Sequence, residues 1–384
     1  MRKICVVTGS RSEYGILSRL MRLIQNDPEL ILQVIATNMH LSQEFGLTYK
    51  EIEKDGFVIN RKVEMLLSSD TANATTKSVG LATIGFADAY EDLHPDLVLV
   101  LGDRYEILAA VTAALFFRIP VAHLHGGEIT EGAYDNSIRH AITKLSHLHF
   151  TSAEAYRKRV IQMGEEPDKV FNVGALGVEN IRYLHLLNKQ ELEESLNFHI
   201  GEKCVLVTFH PVTLENNSAE EQMRSLLMAL DLIPDLRIIF TLPNSDTNGR
   251  IIISLINQFV EKNSARSVVF ASLGQLRYFS ALKYVRAVIG NSSSGLIEVP
   301  SFGIPTVNIG DRQKGRLRAD SVIDCEPLLH EITEKLGQAL SVIKKNEAEK
   351  TVNPYSKDET ANEILSVIMN TPLDNLIKKS FHNL

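Results

Sequence analysis

Several absences narrow what this chain of 384 residues can be. It has only three cysteines, Cys5, Cys204 and Cys325. They are odd in number and far apart, and the first two lie in apolar, strand-like runs. That pattern argues against a disulfide framework or a cysteine zinc site and for small buried hydrophobes in a reducing compartment. There is no basic excess: 40 Lys and Arg face 47 Asp and Glu, for a net charge of −7. Nucleic-acid binders usually carry the opposite balance, so nucleic acid is not an expected partner. A local cluster of Arg and His would still admit a small anionic substrate. No apolar run approaches the roughly 20 residues of a membrane span, and the run at 4–7 is too short for a signal-peptide core. These features predict a cytoplasmic protein without a membrane partner. The dinucleotide fingerprint GxGxxG is also missing, as are low-complexity tracts and short repeats.

What is present is material for a large core, with 44% hydrophobic and 23% charged residues, and a length that suggests roughly two domains. Apolar runs at 4–7, 31–36, 97–101, 121–124, 148–150 and 170–173 are nearly continuous, as in strands buried on both faces of a parallel sheet. Amphipathic segments at 14–24, 82–93, 105–117, 137–145 and 153–163 separate them. The rhythm repeats with strands predicted at 204–209, 237–242, 267–270, 287–289 and 306–309. Helical patterns follow at 218–232, 250–262, 275–284 and 295–301. The fold class is therefore α/β, with two parallel-sheet domains and right-handed crossovers. The expected division is 1–176, a linking region at 177–202 with one helix over 185–198, then 203–355, and a C-terminal helix and tail at 356–384. Residues 346–353 are polar, Pro354 breaks the pattern, 359–369 is amphipathic, and 378–384 should fray.

The richest stretch is 101–140. It holds LGDRYE, HLHGGE and YDNSIRH, each trailing an apolar run. Ligands of open α/β sheets sit beyond the carboxyl ends of the strands. Asp103, His125, Glu128, Asp135, Arg139 and His140 could thus share one cleft and perform acid–base chemistry. HLHGGE also offers His-x-His beside an acid, with His123 and His125 on one face of an alternating strand. No third His or Cys follows at ligand spacing, so no metal is expected. His147 and His149 read as ordinary helix-end and sheet residues.

Three further motifs suit an anion. TGSRSEYG (8–15) ends the first strand. Its small residues could admit a phosphate held by Arg11, or form a plain turn with a Ser cap. In GNSSSGLIEVP (290–300), serine hydroxyls and amides suit a diphosphate, and Glu298 could accept from ribose hydroxyls. A simple Asn-Ser cap explains one or two of these polar residues, not four followed by Glu. FHPVT sets His210 at a strand end as a phosphate contact or proton donor. GDRQKGRLR (310–318) brings Arg312 to another strand end.

Together and in order, VLGDRYE, HLHGGE, DNSIRHAITKLSHLH, FHPVT, GNSSSGLIEVP and NIGDRQKGR span almost the whole chain. They closely resemble the hydrolysing UDP-N-acetylglucosamine 2-epimerases, in particular the bacterial sialic-acid-pathway enzymes. The resemblance implies two Rossmann-like domains in the GT-B arrangement, with a UDP-sugar in the interdomain cleft. It implies release of UDP and N-acetylmannosamine without a cofactor, and a homo-oligomer, dimer or tetramer. It assigns Arg11, Arg104, His210, Asn244, Ser292, Ser293, Glu298 and Arg312 to the nucleotide side, with Leu273 and Tyr278 at the uracil. Asp103, Asp135 and Arg139 fall in the catalytic centre. Many relatives carry glutamate within HxEGG, where this chain has His125. Glu128 follows in both patterns, so the proton transfers are to be divided among His125, Glu128 and Asp135.

The implied chemistry removes the C2 proton while UDP leaves C1, giving a 2-acetamidoglucal. Water then adds, with a proton returned to the opposite face. Such a step needs a desolvated base and Arg, His and dipoles on the departing diphosphate. The nearest alternative is the same reaction on UDP-N,N'-diacetylbacillosamine, on the way to legionaminic acid. The non-hydrolysing epimerase is disfavoured because HxEAGxR is absent. A GT-B glycosyltransferase or a nucleotide-sugar sensor would leave the acid cluster of the first domain without a task.

Overall fold

The computed structural model describes residues 1–215, 218–342 and 352–384. Two compact units emerge. One comprises Met1–Glu128, Asp135–Asn180 and Tyr355–Leu384, and the other Ile129–Tyr134 and Ile181–Pro354.

The first unit is built on seven parallel strands, β1 (Arg2–Thr8), β2 (Leu30–Thr37), β3 (Arg61–Val63), β4 (Leu97–Leu101), β5 (Val121–Leu124), β6 (Leu148–Thr151) and β7 (Val170–Asn172). Their order is β3-β2-β1-β4-β5-β6-β7. Helices cover both faces, so successive residues of β1 serve different cores. Ile4 and Val6 pack into one, Cys5 and Val7 into the other. This two-sided burial is why the sequence shows continuous apolar runs rather than alternation.

The second unit has six parallel strands, β8 (Cys204–Thr208), β9 (Arg237–Thr241), β10 (Ser267–Phe270), β11 (Ala287–Gly290), β12 (Thr306–Ile309) and β13 (Val322–Cys325). The order β10-β9-β8-β11-β12-β13 again reverses direction in mid-sheet. That reversal falls between β1 and β4 in the first unit and between β8 and β11 in the second. At such a switch point neighbouring crossovers run to opposite faces and open a crevice at the strand ends.

The differences from expectation have local causes. β3 and β13 are edge strands that carry Arg61, Lys62 and Asp324, and charged edges do not read as apolar runs. The long helix Ala72–Leu93 begins ten residues before the predicted 82, because Thr71 caps it by accepting from the Ala74 amide. The linking region holds two helices, Leu176–Tyr183 and Lys189–Leu196, instead of one over 185–198. An Asn188–Glu191 capping box starts the second. The helix predicted at 295–301 is only Ser294–Ile297, followed by a 3₁₀ turn, Val299–Phe302, that contains Pro300. Proline has no N–H to continue the α-ladder.

The C-terminal helix Thr360–Asn370 buries Ala361, Ile364 and Ile368 in the first unit's core. The tail is not frayed. Lys379 donates to the carbonyls of Lys144 (2.8 Å) and Ser146 (2.6 Å) and pairs with Glu165 at 2.6 Å, while the His382 amide bonds Gly164. Of the polar stretch 346–353, residues 346–351 lie outside the described residues. No helix among the described residues is long and apolar enough to cross a membrane.

Candidate active site

In the first unit the turns after β1, β4 and β5 carry the predicted groups. Gly102, with φ +81°, turns the chain out of β4 so that Asp103 follows immediately. Asp103 is ion-paired with Arg139. Arg139 is almost fully buried and also donates to the Glu128 carbonyl at 2.8 Å. It lies on helix Asp135–Leu145, whose buried face comprises Asp135, Arg139, Ile142 and Thr143. The spacing of four puts Asp135 and Arg139 on one side and leaves His140 off it.

His125 does not continue the alternation of β5. Its φ is +65°, so the chain turns left-handed there and His125 parts from His123. Its Nδ1 lies 2.8 Å from Glu128 Oε1. The Ser152 hydroxyl donates to that same oxygen at 2.6 Å. His123 is fully buried beneath the Asp103 turn, with Nε2 donating to the Gly102 carbonyl at 2.7 Å. Burial pulls its pKa down to about 3, so it is a neutral prop. His149 meets Glu165 at 2.9 Å, well embedded in the sheet. No group of three or more His, Cys, Asp or Glu among the described residues is arranged to hold a metal ion.

The turn after β1 departs from the phosphate-loop expectation. Glu13 accepts from the amides of Gly9 (2.7 Å) and Ser10 (3.2 Å), and the Ser10 hydroxyl caps the helix in return. The chain's own carboxylate thus occupies those amides. Burial, then the nearby Glu106 carboxylate, raise the Glu13 pKa above the usual carboxylate range. Glu106 is fully buried and accepts from Arg104 Nε at 3.1 Å, fixing that guanidinium. Arg11 is ion-paired with Glu51 on helix Tyr49–Lys54.

In the second unit the hub is Asn291, fully buried at the end of β11. It exchanges two hydrogen bonds with the His210 backbone (2.7 and 2.8 Å), and its carbonyl accepts from Arg312 (3.0 Å) and Gln313 (2.9 Å). This joins the ends of β8 and β11 to the turn after β12. The Asn244 amide points at His210 Nδ1, 3.4 Å away. Ser293 starts the short helix without making a capping bond through its side chain. Glu298 is buried at the far end of that helix. Leu273 is buried at the start of helix Gly274–Leu282, and Tyr278 lies along it. Burial pushes the Tyr278 hydroxyl above the ordinary tyrosine range. Gln275 Nε2 and Arg312 Nε are buried without hydrogen-bond partners among the described residues, an unmet demand that an anionic, hydrogen-bonding ligand would satisfy.

Ile129–Tyr134 contributes here although β5 and helix Asp135–Leu145 flank it. The Glu131 amide bonds Lys314, the Gly132 carbonyl accepts from Leu214, and the Tyr134 amide donates to Thr213.

The sequence profile of the UDP-N-acetylglucosamine 2-epimerase family matches residues 22–369. This chain belongs to that family. Over its full length it is 44% identical to the GDP/UDP-N,N'-diacetylbacillosamine 2-epimerase (hydrolyzing) of Campylobacter jejuni, covering 99% of that protein. It is 40% identical to polysialic acid biosynthesis protein P7 of Escherichia coli, over 96% of this chain and 94% of that protein. It is 36% identical to the UDP-N,N'-diacetylbacillosamine 2-epimerase (hydrolyzing) of Legionella pneumophila, over 98% of each. Among solved structures, the Neisseria meningitidis UDP-GlcNAc 2-epimerase bound to UDP-GlcNAc shares the family fold. Its TM-score is 0.77 at 17% identity, covering 96% of this chain and 100% of that one.

The residues assigned from the sequence left out Glu13, Glu51, Glu106, Ser152 and Asn291. Glu13, Glu106 and Asn291 had a signal, since they lie inside TGSRSEYG, LGDRYE and GNSSSGLIEVP. Glu51 and Ser152 are distant in sequence from the groups they touch and had none.

Proposed function

We propose that this protein is a hydrolysing 2-epimerase of UDP-N,N'-diacetylbacillosamine, releasing UDP and the C2-epimerised diacetamido-trideoxy sugar. The observation that carries this reading is the 44% identity, end to end, with the C. jejuni hydrolysing enzyme. It thereby favours the diacetamido substrate over the UDP-N-acetylglucosamine expected from the motifs. The 40% identity to the E. coli polysialic acid protein supports a second reading, UDP-N-acetylglucosamine converted to N-acetylmannosamine for sialic acid synthesis.

In either case the second unit takes the nucleotide. His210, Asn244, Ser292, Ser293 and Arg312 serve the diphosphate, Glu298 the ribose, and Leu273 and Tyr278 the base. Arg11 and Arg104 of the first unit add positive charge for the leaving group. Asp103, His125 and Asp135 exchange protons with the sugar, and Arg139 fixes Asp103. A base removes the C2 proton, the C–H pair forms the C1=C2 bond, and UDP departs with the C1–O pair. Water then adds at C1 while a proton returns to C2 from the other face. None of these steps requires a cofactor.

The test is incubation of the purified protein with UDP-N,N'-diacetylbacillosamine, its GDP counterpart or UDP-N-acetylglucosamine in deuterated water. Products would be identified by NMR. The expected outcome is free UDP and a C2-epimerised, C2-deuterated diacetamido sugar, with slower turnover of the others. Preferential release of N-acetylmannosamine would transfer the assignment to the second reading. Return of an epimerised UDP-sugar, or transfer to an acceptor, would overturn both.

A further inference from the structure

We propose that Glu128 and Ser152 are positioning residues that hold the His125 imidazole as its Nδ1–H tautomer, leaving the lone pair of Nε2 for the sugar. The inference rests on the reading that His125 meets the substrate. Glu128 thereby leaves the set of proton-transfer groups and becomes the group that orients one of them.

Geometry carries the argument. Glu128 Oε1 lies 2.8 Å from His125 Nδ1. An ionised carboxylate only accepts hydrogen bonds, so the proton between them belongs to the ring nitrogen. Ser152 Oγ donates to the same Oε1 at 2.6 Å, which favours the ionised carboxylate and fixes the acceptor. Glu128 is fully buried and Ser152 is 1% exposed. The backbone of Glu128 is held as well, because Arg139 donates to its carbonyl at 2.8 Å. Among the described residues nothing bonds the other ring nitrogen: His125 Nε2 is buried without a partner there. The left-handed backbone at His125, φ +65°, is a strained conformation for a residue with a side chain. It turns the ring back toward a carboxylate only three residues ahead.

The charged groups nearby are engaged elsewhere. Arg139 is neutralised by Asp103. Arg159, from helix Glu154–Gln162, donates to the Gly127 carbonyl at 2.5 Å. His123, next to Gly126, is neutral. Among the described residues, Glu128 is the one carboxylate bonded to the ring itself. When Nε2 accepts the C2 proton, the C–H pair becomes the C1=C2 bond and UDP leaves with the C1–O pair. The imidazolium so formed is stabilised by Glu128, which itself takes no proton.

The experiment uses the full-length protein labelled with ¹⁵N-histidine, with His125→Phe identifying the resonance. In the unmutated protein His125 should carry its proton on Nδ1 near neutral pH. Glu128→Ala should abolish that preference, and Ser152→Ala should weaken it. In kinetics, Glu128→Gln should lower kcat by about 10²-fold with KM nearly unchanged. A proton on Nε2 in the unmutated protein would overturn the proposal. So would a Glu128→Gln variant that loses activity only in step with its Tm. If no nucleotide sugar were turned over, the function reading would fail while the tautomer measurement still decided this one.

Discussion

Arg11 is held by Glu51 in an ion pair at the start of the first helix. A residue assigned to the diphosphate is thus engaged by a carboxylate of its own unit. Substrate must compete for it, unless it reaches the phosphate without letting go. Glu51→Gln removes that competition while keeping the shape. The expected result is a several-fold lower KM for the nucleotide sugar with kcat little altered. An unchanged KM in this variant, together with full activity of Arg11→Ala, would remove Arg11 from the site.

Position 125 allows a direct exchange of chemistries. His125→Glu restores the residue that many relatives carry and should keep measurable turnover with a shifted pH profile. His125→Phe should fold and bind UDP yet be inactive. Normal turnover by the Phe variant would make His125 structural. Asp103→Asn, which keeps shape and removes a titrating carboxylate, should cost roughly 10²–10⁴-fold in rate.

Arg312 reaches the Asn291 carbonyl through one nitrogen and leaves Nε buried without a partner among the described residues. Charge-assisted contacts are worth roughly 1.5–3 kcal/mol. Arg312→Ala should weaken UDP binding by about that much in calorimetry. Equal affinity in the variant would move the diphosphate elsewhere.

Glu165 lies among His149, Lys144 and Lys379. Burial alone would raise its pKa, but hydrogen bonds from His149, Lys144 and Lys379 prevail and lower it to about 2. A depressed carboxylate stabilises the fold above its ordinary value of 4.5, and that stability drains away as pH falls toward 2. Lys379→Ala should therefore lower Tm most near neutral pH, and the gap should narrow on acidification. A gap that stayed constant from pH 7 to pH 3 would contradict this account.

Gly290 ends β11 at φ +133°, and a Cβ there would lie 1.9 Å from the Thr208 carbonyl oxygen. Both the backbone angle and the clash oppose any side chain. Gly290→Ala should cost about 3 kcal/mol or more, seen as a large fall in Tm. Near-native stability would mean that the two strand ends can part.

Much of this architecture was legible in the sequence because two-sided burial leaves a plain mark. β4 (LVLVL) and β8 (CVLVT) are almost wholly apolar and stand out from the helices around them. β3 and β13 were not legible, since RKV and VIDC carry the charges that protect a sheet edge. At the site, the residues at strand ends were visible as polar clusters after apolar runs. Their partners were not. Ser152 is 24 residues beyond Glu128, and only the pairing of β5 with β6 brings it near. The left-handed turn at His125 was hidden too, because histidine gives no hint of it.

Residues 129–134 are counted with the second unit although the chain on either side belongs to the first. The backbone therefore passes between units four times, at 128/129, 134/135, 180/181 and 354/355. No single cut yields either unit whole. A fragment spanning 181–354 would lack the segment that covers the Asp311 turn, where Gly132 lies so close that a Cβ would come within 2.9 Å. In the intact protein, the first unit is complete only once residues 355–384, which follow the whole of the second, have left the ribosome.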